Sequence, residues 1–286
     1  MKKIILISAL LFSFNGWAYD KDHLKMLKAT GDCSGCDLVK IRINGFNSDQ
    51  DFSGSDISNS NLDASKIYAN FRNCNLSDSS LRKTTLRGSF YNCNLTNADF
   101  GKATMKKLSL YSSDLSHANL RGANLKGADL REANFSNADL SGANLEDALI
   151  SNTNFSGSNL TNANFSKINN RDGFWVSDRV YKYFDPPKTS NLTNVIFKNA
   201  NLRKSILPKT SLSNTDLTGA DLSSVDLSNS KILGVDFSDA KTKDLNLSKS
   251  IIKESNLSED NIKSMILFGV QFCMTKTPSG EVNDDC

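Results

Sequence analysis

Between Leu95 and Phe165 an apolar residue stands at every fifth position: Leu95, Phe100, Met105, Leu110, Leu115, Leu120, Leu125, Leu130, Phe135, Leu140, Leu145, Ile150, Phe155, Leu160 and Phe165. Two residues before most of these centres sits a small side chain, as in Ala98, Ala118, Ala123, Ala128, Ala133, Ala138 and Ala143, with Leu108 the large exception. The pattern resumes at Leu192 and holds through Phe272, its centres interrupted only by Thr242. A period of five does not fit an α-helix, whose apolar face would rotate away within two repeats. Positions i−2 and i show strand alternation and share one face. The next inward residue is three further on, so the chain turns a corner once per repeat. A chain that turns the same way every five residues closes into a coil, and successive coils stack. Small residues at i−2 and larger ones at i fill a narrow interior without overpacking it.

The number of sides follows from slips in register. Ile67 to Phe71 and Leu86 to Phe90 are each one residue short, and the short side recurs every nineteen residues. That makes Phe52, Phe71 and Phe90 one vertical stack and Ile57, Leu76 and Leu95 another. One short side per turn implies four sides. After Leu95 the coils lengthen to twenty residues. Counting centres from Leu38 gives about eleven coils, roughly 50 Å long at about 4.8 Å per stacked strand.

Runs such as Ala118-Asn119-Leu120-Arg121-Gly122-Ala123-Asn124-Leu125-Lys126-Gly127-Ala128-Asp129-Leu130 resemble the A(D/N)LXX signature of the pentapeptide repeat family, over about residues 36–272. The resemblance implies an all-β fold, a right-handed quadrilateral parallel β-helix. The Asn or Asp before most centres, such as Asn119, Asp129, Asn134 and Asp139, is expected to bond corner backbone groups, which makes these carboxylates structural.

The chain divides into 1–18, a signal peptide; 19–37, a capping helix with a CxxC; 38–170, the first part of the β-helix; 171–189, an aromatic-rich loop insertion; 190–272, the second part; and 273–286, a tail. Lys2 and Lys3 precede an apolar run from Ile4 to Phe14, and Gly16 and Ala18 supply the small residues of a cleavage site before Tyr19. The run is about half of the ~20 residues a bilayer span needs. Export, to the periplasm or beyond the cell, is the expectation. Asp22 to Ala29 reads as a short helix with Leu24 and Leu27 on one face and Gly31 past its end. With Cys33-Ser34-Gly35-Cys36-Asp37-Leu38 it resembles the leader segment of exported or lumenal family members. A redox role for this CxxC would need a βαβ setting, and a zinc site would need further ligands. A solubilising end cap needs neither.

Cys36, Cys74 and Cys93 all fall at i−2 in one column, with Ser55 as the remaining rung. Cys74 and Cys93 therefore lie on adjacent coils. Either they are bridged, with a torsion strained by parallel side chains, or they are buried free thiols. Cys33–Cys36 and Cys273–Cys286 are the stronger pairings, since both sit at chain ends in an oxidising compartment. In the insertion, Phe174, Trp175, Arg179, Tyr181, Tyr183 and Phe184 are the candidate partner-binding residues, because aromatics and Arg dominate interface hot spots. The other reading is that Phe174, Trp175 and Phe184 fold back to cover a solenoid side.

Composition narrows the function. Two His among 286 residues leave a metal-dependent enzyme short of ligands, and a net charge of +3 gives no bulk argument for phosphate binding. His23 and His117 have no evident catalytic company, the glycines form no phosphate loop, and neither catalytic residue, metal nor cofactor is expected. A non-catalytic interaction or scaffold protein of the cell envelope is the leading expectation, with another protein as partner and no nucleic acid. Some family members resemble a DNA rod and shield type II topoisomerase from drugs. Against that role stand the export signal and the middle coils, where seven acidic residues face six basic ones. A secreted effector is a further alternative. The i−2 positions coarsen near the C-terminal end to Leu245, Asp260, Met265 and Val270, which marks that end as a homodimer contact.

Overall fold

A computed structural model describes residues 20–30, 34–39, 45–46, 51–168 and 192–283. Parallel bridges run in columns spaced by one coil. One column joins Asp37, Asp56, Asn75, Asn94, Asp114, Asn134 and Asn154, stepping by nineteen residues up to Asn94 and by twenty afterwards. Another runs unbroken from Asn61 to Lys276 through Asp99, Asn119, Asp139, Asn159, Ile196, Asp216, Asp236 and Asn256. The result is a quadrilateral β-solenoid, and about 9 turns form it. The eleven coils counted from sequence include two that pass through undescribed residues, 40–44 with 47–50 and 169–191.

Each side pairs with the next coil through regular backbone hydrogen bonds. Leu120 N–H donates to the Asp139 carbonyl at 2.7 Å, Asp139 N–H to that of Ala118 at 3.0 Å, and Gly122 N–H to that of Ser141 at 2.9 Å. The corner closes with Ala123 N–H on the Leu120 carbonyl at 2.9 Å. Its second residue lies in the left-handed region, which Gly and Asn enter at least cost. Gly122 (φ 64°), Asn137 (57°) and Asn152 (59°) are typical. The Asn or Asp before each centre does what its position demands. Its Oδ1 accepts the backbone N–H two residues on, as Asp99 does from Gly101 at 2.8 Å and Asp114 from Ser116 at 2.9 Å. Where the next rung is Asn, its amide donates back down the column, Asn119 to Asp99 at 2.9 Å and Asn134 to Asp114 at 3.0 Å.

Two early coils replace a corner with a continuous strand. After the short β1 (Gly45–Phe46) come β2 (Lys66–Arg72) and β3 (Thr85–Tyr91), paired in parallel over seven residues with Phe71 opposite Phe90. The expected aromatic stack is present. Phe52 and Phe71 lie 5.0 Å apart and Phe71 and Phe90 4.5 Å apart, near parallel and fully buried. A second set, Phe135, Phe155, Phe165 and Phe197, carries aromatic contact past the insertion. Later short strands β4 (Ser211–Ser213), β5 (Lys231–Leu233) and β6 (Ile251–Lys253) form a second parallel sheet.

Both ends are closed. Helix α1 (Lys21–Thr30) buries Leu24 and Leu27 against the first coil. Asp20 caps it, its Oδ1 accepting Asp22 N–H at 2.8 Å, and its own N–H reaches the Asp37 carbonyl at 3.2 Å. His23 Nδ1 accepts the Asp37 N–H at 3.0 Å, so this histidine clasps the cap to the solenoid.

At the other end the expected run of strands through Phe272 is interrupted by α2 (Glu259–Ser264). The cause is a capping box: Ser258 Oγ accepts Asn261 N–H at 3.2 Å and Asn261 Oδ1 accepts Ser258 N–H at 2.9 Å. The helix also accounts for the one polar centre. Thr242 Oγ1 accepts from Asn261 Nδ2 at 3.1 Å and lies 2.8 Å from Ser264 Oγ. Strand β7 (Gln271–Cys273) ends the second sheet. The segment expected as a tail carries β8 (Thr275–Thr277) and β9 (Gly280–Val282), an antiparallel hairpin laid on the Asn256 rung. This hairpin occupies an otherwise open edge.

Candidate interaction surface

The candidate partner residues Phe174, Trp175, Arg179, Tyr181, Tyr183 and Phe184 lie outside the described residues. The described rungs on either side of them are in register. Asn164 bonds the amide of Asn201, a separation of 37 residues against 20 between Asn144 and Asn164 in the same column. Ile206 N–H donates to the Ile168 carbonyl at 2.8 Å, and Leu192 N–H to that of Ser211 at 3.1 Å. The register of the stack is thus kept from one side of the insertion to the other.

The cysteines separate into two kinds. Cys36 and Cys273 are disulfide-bonded, and their expected partners Cys33 and Cys286 lie outside the described residues. Cys74 and Cys93 are buried free thiols, so the bridge between them is not formed. The reason lies in their column. Inward hydroxyls at i−2 donate to the centre carbonyl of the preceding coil, as Ser79 does to Ile57 at 2.9 Å and Ser113 to Phe90 at 2.6 Å. The thiols follow suit, Cys74 to Phe52 at 2.6 Å and Cys93 to Phe71 at 3.4 Å. Pointing the same way, they meet without the torsion a disulfide needs. Contact with the Cys74 thiol, then burial, pushes the Cys93 thiol far up, which keeps it protonated and unreactive.

Several carboxylates take part in ion pairs, and some of these join adjacent coils. Glu146 bonds Lys126 at 2.7 Å and Lys167 at 2.6 Å, and these two bonds hold its carboxyl down to about 2. Partial burial works against the charge of Asp139, but bonds from Ser141 and Arg121 outweigh it and keep this carboxyl below the usual range. Arg131 grips Asp129 with two bonds of 2.8 and 2.7 Å. Its guanidinium lies over the Tyr111 ring, 5.6 Å from the centroid, and Tyr111 stacks parallel on Tyr91 at 5.6 Å. A bond to Glu132, followed by burial, raises the Tyr111 phenol.

Among the described residues no group of three or more His, Cys, Asp and Glu is placed to hold a metal ion. No helix among them is long and apolar enough to cross a membrane. At the C-terminal end Leu245 is buried, Met265 is 9% exposed, and Val270 packs partly buried against the core. Beyond the sequence expectation, the same end exposes Phe268 (75%), Ile266 (48%) and Met274 (43%).

The family model of pentapeptide repeats (8 copies) matches residues 67–107, 89–127, 109–147, 128–166 and 196–232. The chain belongs to the pentapeptide repeat family. Among solved structures it is similar to a pentapeptide repeat protein of the Arabidopsis thaliana thylakoid lumen, 38% identical over 32% of this chain and 66% of that one, with a TM-score of 0.31. It is also similar to HetL, a pentapeptide repeat protein involved in heterocyst differentiation regulation from Nostoc sp. strain PCC 7120, 24% identical over 81% of this chain and 91% of that one, TM-score 0.24. A third similar structure is a trypsin-treated variant of QnrB1, a plasmid-mediated fluoroquinolone resistance protein, 21% identical over 82% of this chain and 91% of that one, TM-score 0.30. A comparison with curated proteins finds no match.

Proposed function

We propose that this protein is a non-catalytic, exported interaction module of the cell envelope, a rigid faceted rod that displays the 171–189 insertion to another protein. The observation that carries the reading is the register across that insertion. A coil of 37 residues sits in a stack of coils of 20 with the bridges on either side intact, so the described rungs keep their register across it. Long insertions of this sort in repeat folds are places where function is carried. The Lys2-Lys3 and Ile4–Phe14 leader supports export, and the proposed pairs Cys33–Cys36 and Cys273–Cys286 suit an oxidising compartment. Topoisomerase protection ranks below this reading, because Asp99, Asp114, Asp139 and Glu146 of the middle coils are taken up in corner turns and ion pairs and do not stand free as a phosphate-like row.

Affinity capture from envelope extract tests the proposal. The mature chain is expected to retain a specific protein that a variant lacking residues 171–189 does not. Equal recovery by both would move the contact elsewhere.

The C-terminal apolar patch supports a second copy of this chain as its occupant, since Phe268, Ile266 and Met274 stand exposed on the terminal coils. Light scattering is expected to show a dimer for the mature chain and a monomer for Phe268→Ser. A monomer at high concentration in the unaltered protein would end this part of the proposal.

A further inference from the structure

Charge that is mixed along the chain is sorted laterally once the coils stack. On the coils from Ser77 to Asn137, the corner after the Asn75–Asn134 column carries Ser77-Asp78, Thr96-Asn97, Ser116-His117 and Ser136-Asn137, nearly free of formal charge. The opposite edge is different. Tyr68 and Arg87 are register partners on β2 and β3, with the guanidinium 5.4 Å from the ring centroid. Lys106 and Lys107 occupy the next coil, between the Thr85↔Thr104 and Ser89↔Ser109 bridges, and Lys126 the one after, where Lys107 N–H meets its carbonyl at 3.0 Å. Lys66 and Arg72 flank the same surface at the two ends of β2. Lys66, Arg72, Arg87, Lys106 and Lys107 are all exposed and form no salt bridge among the described residues.

These cations border a flat floor. Asn70, Ser89 and Ser109 form consecutive rungs of it, small polar groups in one column. Along its far side run Arg72, Tyr91, Tyr111 and Arg131. From Arg87 to Tyr91 the strand spans about 13 Å, and the rungs from Lys66 to Asn124 extend roughly 14 Å along the axis. The acids at its margin are Asp129, held by Arg131; Glu132, bonded by Ser112; Glu146, held by Lys126 and Lys167; and Asp51 at the Arg72 end. The trough is positive along its Arg87, Lys106 and Lys107 edge, and its polar floor gives way to Asp51 and Asp129 at the two ends of the same column.

We propose that this trough binds a linear acidic polysaccharide, with Arg87, Lys106 and Lys107 on its carboxylate groups and the Asn70, Ser89 and Ser109 floor on its hydroxyls. This goes beyond the interaction reading above and does not depend on it. Charge complementarity favours a repeating anion. The width admits one extended chain but not a nucleic-acid duplex. Single-stranded nucleic acid is disfavoured at Tyr111, because bases are held by free ring faces and this ring carries Tyr91 and Arg131 against it. What that edge offers outward is hydrogen bonding, which suits a polymer dense in hydroxyls. One rung of the ladder is close to the length of one sugar ring, so a cation in each coil can meet successive acidic units.

The test is fluorescence anisotropy with labelled oligogalacturonate at low salt, using the mature protein, with neutral dextran and single-stranded oligo-dT as comparison probes. Binding is expected for oligogalacturonate and not for dextran, weakening with added salt. The triple variant Arg87→Gln, Lys106→Gln, Lys107→Gln is expected to bind about tenfold or more weakly, since charge-assisted hydrogen bonds are lost. Removing three charges elsewhere, by Lys198→Gln, Lys204→Gln and Lys209→Gln, should leave affinity within about twofold, the direct contacts being intact. All six positions are exposed, and unchanged thermal melting confirms the fold. No binding at low salt, equal loss in both variants, or tighter binding of oligo-dT than of oligogalacturonate would each overturn the proposal.

Discussion

Replacing Phe71 with alanine is expected to destabilise the solenoid by about 3–5 kcal/mol, the range for emptying a buried aromatic site. The ring is fully buried and stacked on both faces, 5.0 Å from Phe52 at 12° and 4.5 Å from Phe90 at 15°. The cavity cannot close by collapse. Phe52 N–H is tied to the Asn70 carbonyl at 3.3 Å and Phe90 N–H to that of Ser109 at 2.7 Å, so the backbone ladder holds the coils at their spacing. Two aromatic contacts worth about 0.5–1.5 kcal/mol each disappear as well. Because each coil touches only its neighbours, the damage should be local. Urea unfolding followed by circular dichroism is expected to show an early transition for the N-terminal coils, ahead of a nearly unshifted remainder. Phe71→Leu should cost less than Phe71→Ala, since it leaves a smaller cavity, while still losing both ring contacts. A single transition shifted by less than about 1 kcal/mol in the alanine variant would contradict this account of the stack.

Gly88→Ala is the second large effect. Gly88 has φ +110°, and a Cβ there would stand 2.2 Å from the Ala69 carbonyl oxygen and 3.0 Å from its carbon. Both atoms belong to the backbone of β2, which pairs with β3 over seven residues and has no freedom to retreat. Steric overlap and strained backbone act together, so a loss of roughly 3 kcal/mol or more is expected. Gly142 supplies the comparison: its φ of +66° is also left-handed, but nothing lies within 4 Å of an added Cβ. Gly142→Ala should therefore cost only about 1–2 kcal/mol, the intrinsic penalty of the left-handed region. Thermal melts of the two variants compare these values directly. Equal melting temperatures would mean that the close approach of β2 and β3 at Gly88 does not exist.

The fold was readable because the physics that sets it repeats every five residues. The inward centres, the one-residue slips that fix four sides and the Phe52, Phe71 and Phe90 stack all follow from spacing. Leu24 and Leu27 likewise marked α1. Helix α2 escaped because Ile262 stands where the next centre belongs, so the apolar period runs straight through it. Two signals pointed to it: Ser258 three residues before Asn261, and a polar Thr242 at a centre that needs a partner. The thiols of Cys74 and Cys93 were ambiguous because spacing places two side chains on one column but does not say where they donate. Lateral charge could not be read along the chain at all. Counting acids against bases over consecutive residues averages four edges, and Arg87, Lys106 and Lys107 become one strip only after the coils are stacked.

The unbroken column of bridges from Asn61 to Lys276 also has a mechanical meaning. Tension on the two termini would pass through the turns in series, with no strand among the described residues crossing from one end to the other to share it. Such a rod resists bending through its side ladders yet yields to axial pull by unspooling, one turn at a time. Each ordinary turn would release about 65–70 Å of slack at ~3.3–3.6 Å per residue. The turn of 37 residues from Asn164 to Asn201 would release nearly twice that length of chain.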